Sequence, residues 1–86
     1  MAKSIGVVEC NCYSDVVAAA DRMVKAANIH LARQEQIGDA QVALIFEGDT
    51  DEVTRAAEAA KKTAPETLKA TVIANTSSRV LSVFRL

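Results

Sequence analysis

The chain has 86 residues and a formal net charge of −1 at pH 7. Half of the residues are apolar, 24% are charged, and there are three Gly and one Pro, which excludes a disordered tail, a low-complexity linker and a collagen-like fibre. This length allows one domain, residues 1–86, of modest independent stability. Without a basic stripe or an apolar run near the ~20 residues that span a bilayer, we expect a cytosolic protein with no nucleic-acid or membrane partner.

The first part of the chain shows the pattern of a strand followed by a helix. Residues 4–10 are short and rich in β-branched side chains, which predicts a strand. A helical period begins at Ser14, and the helix is expected to end near Asn28, which tolerates the left-handed C-terminal position. The predicted buried stripe of this helix consists of Val16, Val17, Ala20, Met23, Val24 and Ala27.

Two strands and a tight turn follow. Residues 29–36 alternate, with Ile29 and Leu31 on one face, and the other face is formed by His30, Ala32 and Gln34. Gly38-Asp39 is a turn signal, and residues 41–47 form the next strand, so the two strands are predicted to pair as a hairpin.

A second helix begins after Gly48-Asp49. Asp49 is the expected N-cap, and Glu52 stands where the partner in a capping box would stand. Pro65 ends this helix, and residues 68–74 form a last strand. The buried stripe of the second helix consists of Val53, Ala56, Ala57, Ala60 and Ala64. Ser77 or Ser78 is expected to cap a short terminal helix that carries Val80, Leu81 and Phe84.

This order of elements predicts an α+β fold of the ferredoxin-like split βαβ type (βαββαβ). It is a four-stranded antiparallel sheet with two main helices on one face and a short C-terminal helix. The strands are apolar on both faces, as Val7 beside Val8 and Ala43 beside Leu44 show. Since two helices cover only one face, we expect self-association or a covering C-terminal segment on the other.

Three side chains invite a chemical interpretation. Cys10 and Cys12 could hold a metal or an iron–sulfur centre across subunits, but a C-x-C pair without further ligands favours free thiols. His30 is the only His and is better explained as a surface or interface residue than as a catalytic base. We expect no catalytic constellation, no cofactor and no metal.

Several segments together resemble a bacterial microcompartment shell protein of the hexamer-forming, single-domain type. They match in order and spacing: residues 5–9, the run at 19–28 (Ala-Ala-Asp-Arg-Met-Val-Lys-Ala-Ala-Asn), residues 37–39, and Gly48-Asp49 before an Ala-rich helix. The resemblance implies a non-enzymatic subunit that forms a homo-hexamer and tiles with other shell proteins around encapsulated enzymes in the cytoplasm. It also implies a central pore for small metabolites.

The resemblance assigns roles to particular residues. The pore is implied to be lined by Ile37, Gly38, Asp39 and Ala40, and the contact between hexamers by Lys25 and Asn28. The family often has Gly-Ser-Gly at 38–40, so Asp39 makes this pore acidic and predicts a preference for cationic or neutral solutes.

The end of the chain departs from the family pattern. Residues 73–78 stand where the family commonly has an Ile-Pro-Arg-Pro-His-like run, and Arg79 is out of register with its edge Arg. An alternative hypothesis is an oligomeric, small-molecule-binding regulatory domain of the same fold, because fold does not fix function. A dimer or trimer would favour that alternative, and an enzyme is the least supported class.

Overall fold

The computed structural model of the chain describes residues 3–37 and 41–86, and of Ile37 only the backbone. The strands and helices of the described residues follow one another in the predicted order. Their bounds are β1 (Ser4–Cys10), α1 (Tyr13–Ala26), β2 (His30–Ile37), β3 (Gln41–Gly48), α2 (Thr50–Thr63), β4 (Lys69–Ile73) and α3 (Ser78–Phe84).

The four strands form one antiparallel sheet in the order β2-β3-β1-β4. This is the strand order of the predicted ferredoxin-like fold, which is confirmed. A register shift between Leu31 and Arg33 interrupts the pairing of β2 with β3. Because an extra residue in one strand reverses its alternation, His30 lies opposite Glu47 on one face and Gln34 opposite Leu44 on the other. The predicted grouping of His30 with Gln34 on one face is therefore wrong.

Both main helices pack on the same face of the sheet and bury the core against it. α1 packs on β1 and β3, and α2 packs on β1, β3 and β4. The predicted stripe of α2 is confirmed, with Ala64 half-buried at its end. The core consists of Val8, Cys10, Val16, Ala19, Met23, Val42, Leu44, Phe46, Val53, Ala56, Ala57, Ala60 and Leu68.

The ring of Phe46 lies directly over Gly6, its partner across β1 and β3. A Cβ atom at Gly6 would stand 2.2 Å from Cζ of Phe46 and 2.5 Å from Cε2. The Phe46 side chain is fully buried, so the ring occupies the space that any other residue at position 6 would need. The glycine in β1 is thus explained by packing.

Two predictions for α1 are wrong. Val17 and Val24 are exposed instead of buried, and the stripe that faces the core is Val16, Ala19 and Met23. The helix ends at Ala26, and Ala27 takes an extended conformation while its N–H bonds Met23 O at 3.0 Å. Among the described residues other than glycine, a positive φ occurs only at Asn75 and Arg85, so Asn28 is not the left-handed residue that was expected.

The terminal helix α3 begins as predicted. Ser77 is its N-cap, and the Ser77 Oγ accepts a hydrogen bond from Arg79 N at 3.2 Å. Neither α3 nor any other helix among the described residues has the length and apolar character that a membrane span requires.

Candidate assembly surfaces

The predicted pore turn connects the paired ends of β2 and β3. The last residue of β2, Ile37, pairs with the first residue of β3, Gln41. Gly38, Asp39 and Ala40, and the side chain of Ile37, lie outside the described residues. The role of these four residues therefore remains a prediction from the resemblance.

Lys25, the predicted edge residue, lies exposed in the last turn of α1. Its Nζ pairs with Oδ2 of Asp21 one turn earlier at 2.8 Å, and both side chains are largely exposed. An exposed pair of this kind contributes at most about 1 kcal/mol. The ammonium is therefore free to exchange this partner for a contact on a neighbouring molecule.

A groove of about 440 Å³ runs between the outer faces of α1 and α2, and Lys25 forms part of its wall. Four cationic side chains and a single carboxylate line it, so this part of the surface is net cationic. The lining residues are Arg22, Lys25, Ala26, Arg55, Glu58, Ala59 and Lys62.

Asn28, the other predicted edge residue, is exposed, and its backbone anchors the loop after α1. The Asn28 N–H donates to Oε1 of Glu52 at 2.8 Å, and Nη1 of Arg55 donates to Oε2 of Glu52 at 2.9 Å. Asp49 is the N-cap of α2, but its side chain makes no capping hydrogen bond. The predicted capping box is therefore wrong, because the carboxylate of Glu52 is turned towards Asn28.

This arrangement lowers the pKa of the Glu52 carboxyl below its ordinary value. The main cause is the hydrogen bond from the Asn28 amide, and the charge and hydrogen bond of Arg55 act in the same direction. Partial desolvation opposes them. The ionised carboxylate thus ties the backbone at Asn28 to α2.

Replacing Glu52 with Gln is expected to lower the free energy of unfolding at pH 7. A carboxyl whose folded pKa is depressed stabilises the fold above its unfolded pKa, about 4.3, and this stabilisation is lost as the pH falls through the folded pKa. In urea unfolding, the difference in the free energy of unfolding between wild type and Glu52→Gln should therefore shrink in acid. The exposed Glu66→Gln is the control, and a difference that persists unchanged in acid would contradict this explanation.

The face of the sheet opposite the helices carries a cleft beneath α3. Val7, Ala43 and Ile45 form its apolar floor, and Val83 and Phe84 form its roof, around a volume of about 770 Å³. We call these five residues the sheet cleft. The C-terminal helix thus borders this face without burying its own side chains, since Val83 and Phe84 remain 74% and 54% exposed.

One hydrogen bond at the rim of the cleft links α3 to Arg33 of β2. Nε and Nη2 of Arg33 bond Oε1 of Glu35, and Arg33 Nη1 donates to the carbonyl oxygen of Phe84 at 3.4 Å. Glu9 and Arg85 also lie at the rim. This rim leaves the apolar interior of the cleft open.

A second exposed apolar surface lies on α1. Tyr13, Val17 and Val24 are spaced by four and seven residues, so they share one face of the helix, and Tyr13 and Val17 are 58% and 54% exposed. Leu31 of β2 is also exposed, and its pairing with Phe46 places it on the face of the sheet that the helices cover. We call these four residues the α1 flank.

The cysteines and the histidine do not form a site with one another. Both cysteines are free: Cys10 is buried, and its Sγ accepts a hydrogen bond from Cys12 N at 3.3 Å. His30 is exposed at the start of β2. Within residues 3–37 and 41–86, no three His, Cys, Asp or Glu side chains are grouped so that they could hold a metal ion.

Comparison with known proteins identifies the family of this two-layer domain. The family model of the BMC domain matches residues 4–76 of this chain. The carboxysome shell protein CcmK2 of Synechocystis sp. is 43% identical over 53 residues, which are 62% of this chain and 52% of that protein. The carboxysome shell protein CcmK3 of Halothece sp. is 38% identical over 73 residues, which are 85% of this chain and 72% of that protein.

A solved structure has the same fold. It is the crystal structure of a microcompartments protein from Desulfitobacterium hafniense, with a TM-score of 0.85 and 28% identity over 95% of this chain and 46% of that chain. The chain spans about half the length of several of these relatives. The chain belongs to the BMC domain family, as the resemblance of its sequence predicts.

Proposed function

We propose that the chain is a structural, non-catalytic subunit of the shell of a bacterial microcompartment in the cytoplasm. The observation that carries this proposal is the family match over residues 4–76, together with relatives that are named shell proteins. Its partners are copies of itself, neighbouring shell hexamers, other shell proteins and the encapsulated enzymes.

We propose that the basic unit of the shell is a ring of six subunits. Support comes from the apolar surface that a single copy exposes on both of its layers, at the sheet cleft and at the α1 flank. Burial of apolar surface contributes about 25 cal/mol per Å², so leaving these surfaces in water is costly. Grouped exposed apolar side chains of this kind favour an interface.

Light scattering during size-exclusion chromatography tests the ring. Six chains of 9.2 kDa give a mass of about 55 kDa, or multiples of it where rings join into sheets. A dimer or trimer would instead favour the regulatory, ligand-binding alternative.

The pore of the ring is proposed to lie at the hairpin that joins β2 and β3, lined by Ile37, Gly38, Asp39 and Ala40. Six Asp39 carboxylates around an axis repel one another by about 0.6 kcal/mol per neighbouring pair at roughly 7 Å in water, and by more in a drier mouth. This field attracts cations and repels anions, so small cationic or neutral metabolites pass more readily than small carboxylates.

Replacing Asp39 with Ser is expected to abolish this selectivity. Flux of a small amine and of a small carboxylate of similar size would be measured across assembled sheets of wild type and variant. Wild type should pass the amine faster, and Asp39→Ser should pass both at similar rates. The exposed Asp51→Ser is a matched control that should keep the wild-type preference. Faster carboxylate passage through wild-type sheets would contradict the acidic pore.

A further inference from the structure

We propose that Cys10 and Cys12 form a redox-sensitive thiol pair, which a low-molecular-weight disulfide such as glutathione disulfide oxidises reversibly to a disulfide within the chain. Both thiols are free in the structure. This inference goes beyond the proposed shell function and does not depend on the ring of six subunits.

The end of β1 brings the two cysteine side chains to the same side of the chain. Cys10 is the last residue of β1, and Cys12 is the N-cap of α1 in an extended conformation. In an extended backbone, residues two positions apart point to the same face. The packing agrees with this geometry, because Cys10 belongs to the hydrophobic core and Cys12 packs against that core.

The sulfur of Cys10 lies against the backbone of Cys12. Sγ of Cys10 accepts a hydrogen bond from Cys12 N at 3.3 Å. Only the Cα and Cβ atoms separate this nitrogen from the Cys12 sulfur, so rotation about one side-chain bond changes the distance between the two sulfur atoms. Cys12 Sγ lies 3.3 Å from Oγ of Ser14. A turn of the Cys12 side chain towards Cys10 therefore gives up only a weak hydrogen bond with Ser14.

The two thiols differ in their access to solvent. Cys10 is 1% exposed, whereas Cys12 is only half-buried and its sulfur lies beside the exposed Ser14. A reagent in solution therefore reaches Cys12 first, and Cys10 is the resolving thiol. An accessible thiol next to a resolving cysteine is the arrangement typical of redox-sensing cysteines.

Two exchange steps complete the oxidation. The thiolate of Cys12 attacks one sulfur of the small disulfide, which forms a mixed disulfide on Cys12 and releases the other half as a thiolate. Cys10 then gives its proton to water and attacks the Cys12 sulfur, which closes the bond between Cys10 and Cys12 and releases the second half as a thiolate. Two protein thiols are thus oxidised, and one small disulfide is reduced to two thiols.

The disulfide is expected to be easily reduced and local in its effect. Only Asn11 lies between the two cysteines, so the cross-link removes little chain entropy from the unfolded state and adds little stability. The carbonyl oxygen of Cys12 accepts hydrogen bonds from Asp15 N at 3.1 Å and Val16 N at 3.2 Å. Oxidation therefore ties the first turn of α1 to the end of β1.

Intact mass spectrometry of the folded chain incubated with glutathione disulfide tests the pair. Wild type should lose two hydrogens without a lasting glutathione adduct, and it should regain them with excess reduced glutathione. Cys10→Ala should retain one glutathione on Cys12, because the resolving thiol is missing. Cys12→Ser is the matched control and should stay unmodified, because its remaining thiol is buried.

The wild-type mass decides the proposal even where Cys10→Ala fails to keep the circular dichroism of wild type. A lasting glutathione adduct on wild type, the absence of any reaction, or disulfide-linked dimers in place of the internal bond would overturn the thiol pair. Modification of Cys12→Ser would show that Cys10 reacts directly, and it would overturn the assigned order of attack. None of these results bears on the shell function, which the mass of the assembly tests.

Discussion

Gly6→Ala is expected to lower the free energy of unfolding by about 3 kcal/mol, at the upper end of the range for overpacked cores. The added Cβ would lie within 3 Å of three ring atoms of Phe46. That ring is fully buried between the sheet and the helices, so it can move only by displacing the core around it. For a domain of this size, the loss corresponds to a fall in Tm of roughly 10–25 °C.

Thermal and urea unfolding of Gly6→Ala and Gly48→Ala measure this effect. Gly48 is the matched control, because a Cβ there would meet no atom closer than Asn28 O at 3.4 Å. The double variant Gly6→Ala, Phe46→Leu should recover part of the loss relative to the sum of the single changes, because the smaller side chain vacates the space above residue 6. Equal effects of the two glycine variants would show that the ring of Phe46 is not the cause.

Lys25→Asp is expected to abolish sheets while leaving rings intact. The substitution reverses the charge at the proposed edge between hexamers and places a carboxylate one turn from Asp21. The repulsion along α1 is worth only about 0.5 kcal/mol, so the subunit stays folded. The contact between rings instead loses the long Lys stem and its ammonium at every edge of the hexamer.

Electron microscopy of assembled material, with light scattering of the soluble fraction, measures this result. Lys61→Asp is the control, because it makes the same change at an exposed site on α2 that is not part of the groove wall. We expect extended sheets from wild type and from the control, and separate rings from Lys25→Asp. Sheets that survive the Lys25 change would remove this residue from the edge contact.

The fold could be predicted because periodicity and turn residues agree along most of the chain. The β-branched run of β1, the Ala stripe of α2 and the Ser77 cap all depend on local patterns that one sequence displays. The β-bulge in β2 could not be predicted, because it depends on the register that β3 imposes. Val17 and Val24 misled the burial prediction because an exposed apolar stripe and a core stripe look alike in sequence.

Local patterns could not define the candidate surfaces. The family resemblance assigned roles to Lys25, Asn28 and the turn at 38–40, and these roles stay predictions. The bond from Asn28 to Glu52 joins residues 24 positions apart, and a local capping rule gave Glu52 a different partner. The sheet cleft depends on where α3 folds back, which no local pattern specifies.

Two-dimensional class averages of the purified wild-type chain in the electron microscope test the proposed ring of six subunits. We expect flat particles with a sixfold outline and a central hole, with the turn at 38–40 at the rim of that hole when the averages are extended to a three-dimensional map. Particles without sixfold symmetry, or a map with that turn on the outer perimeter, would contradict it.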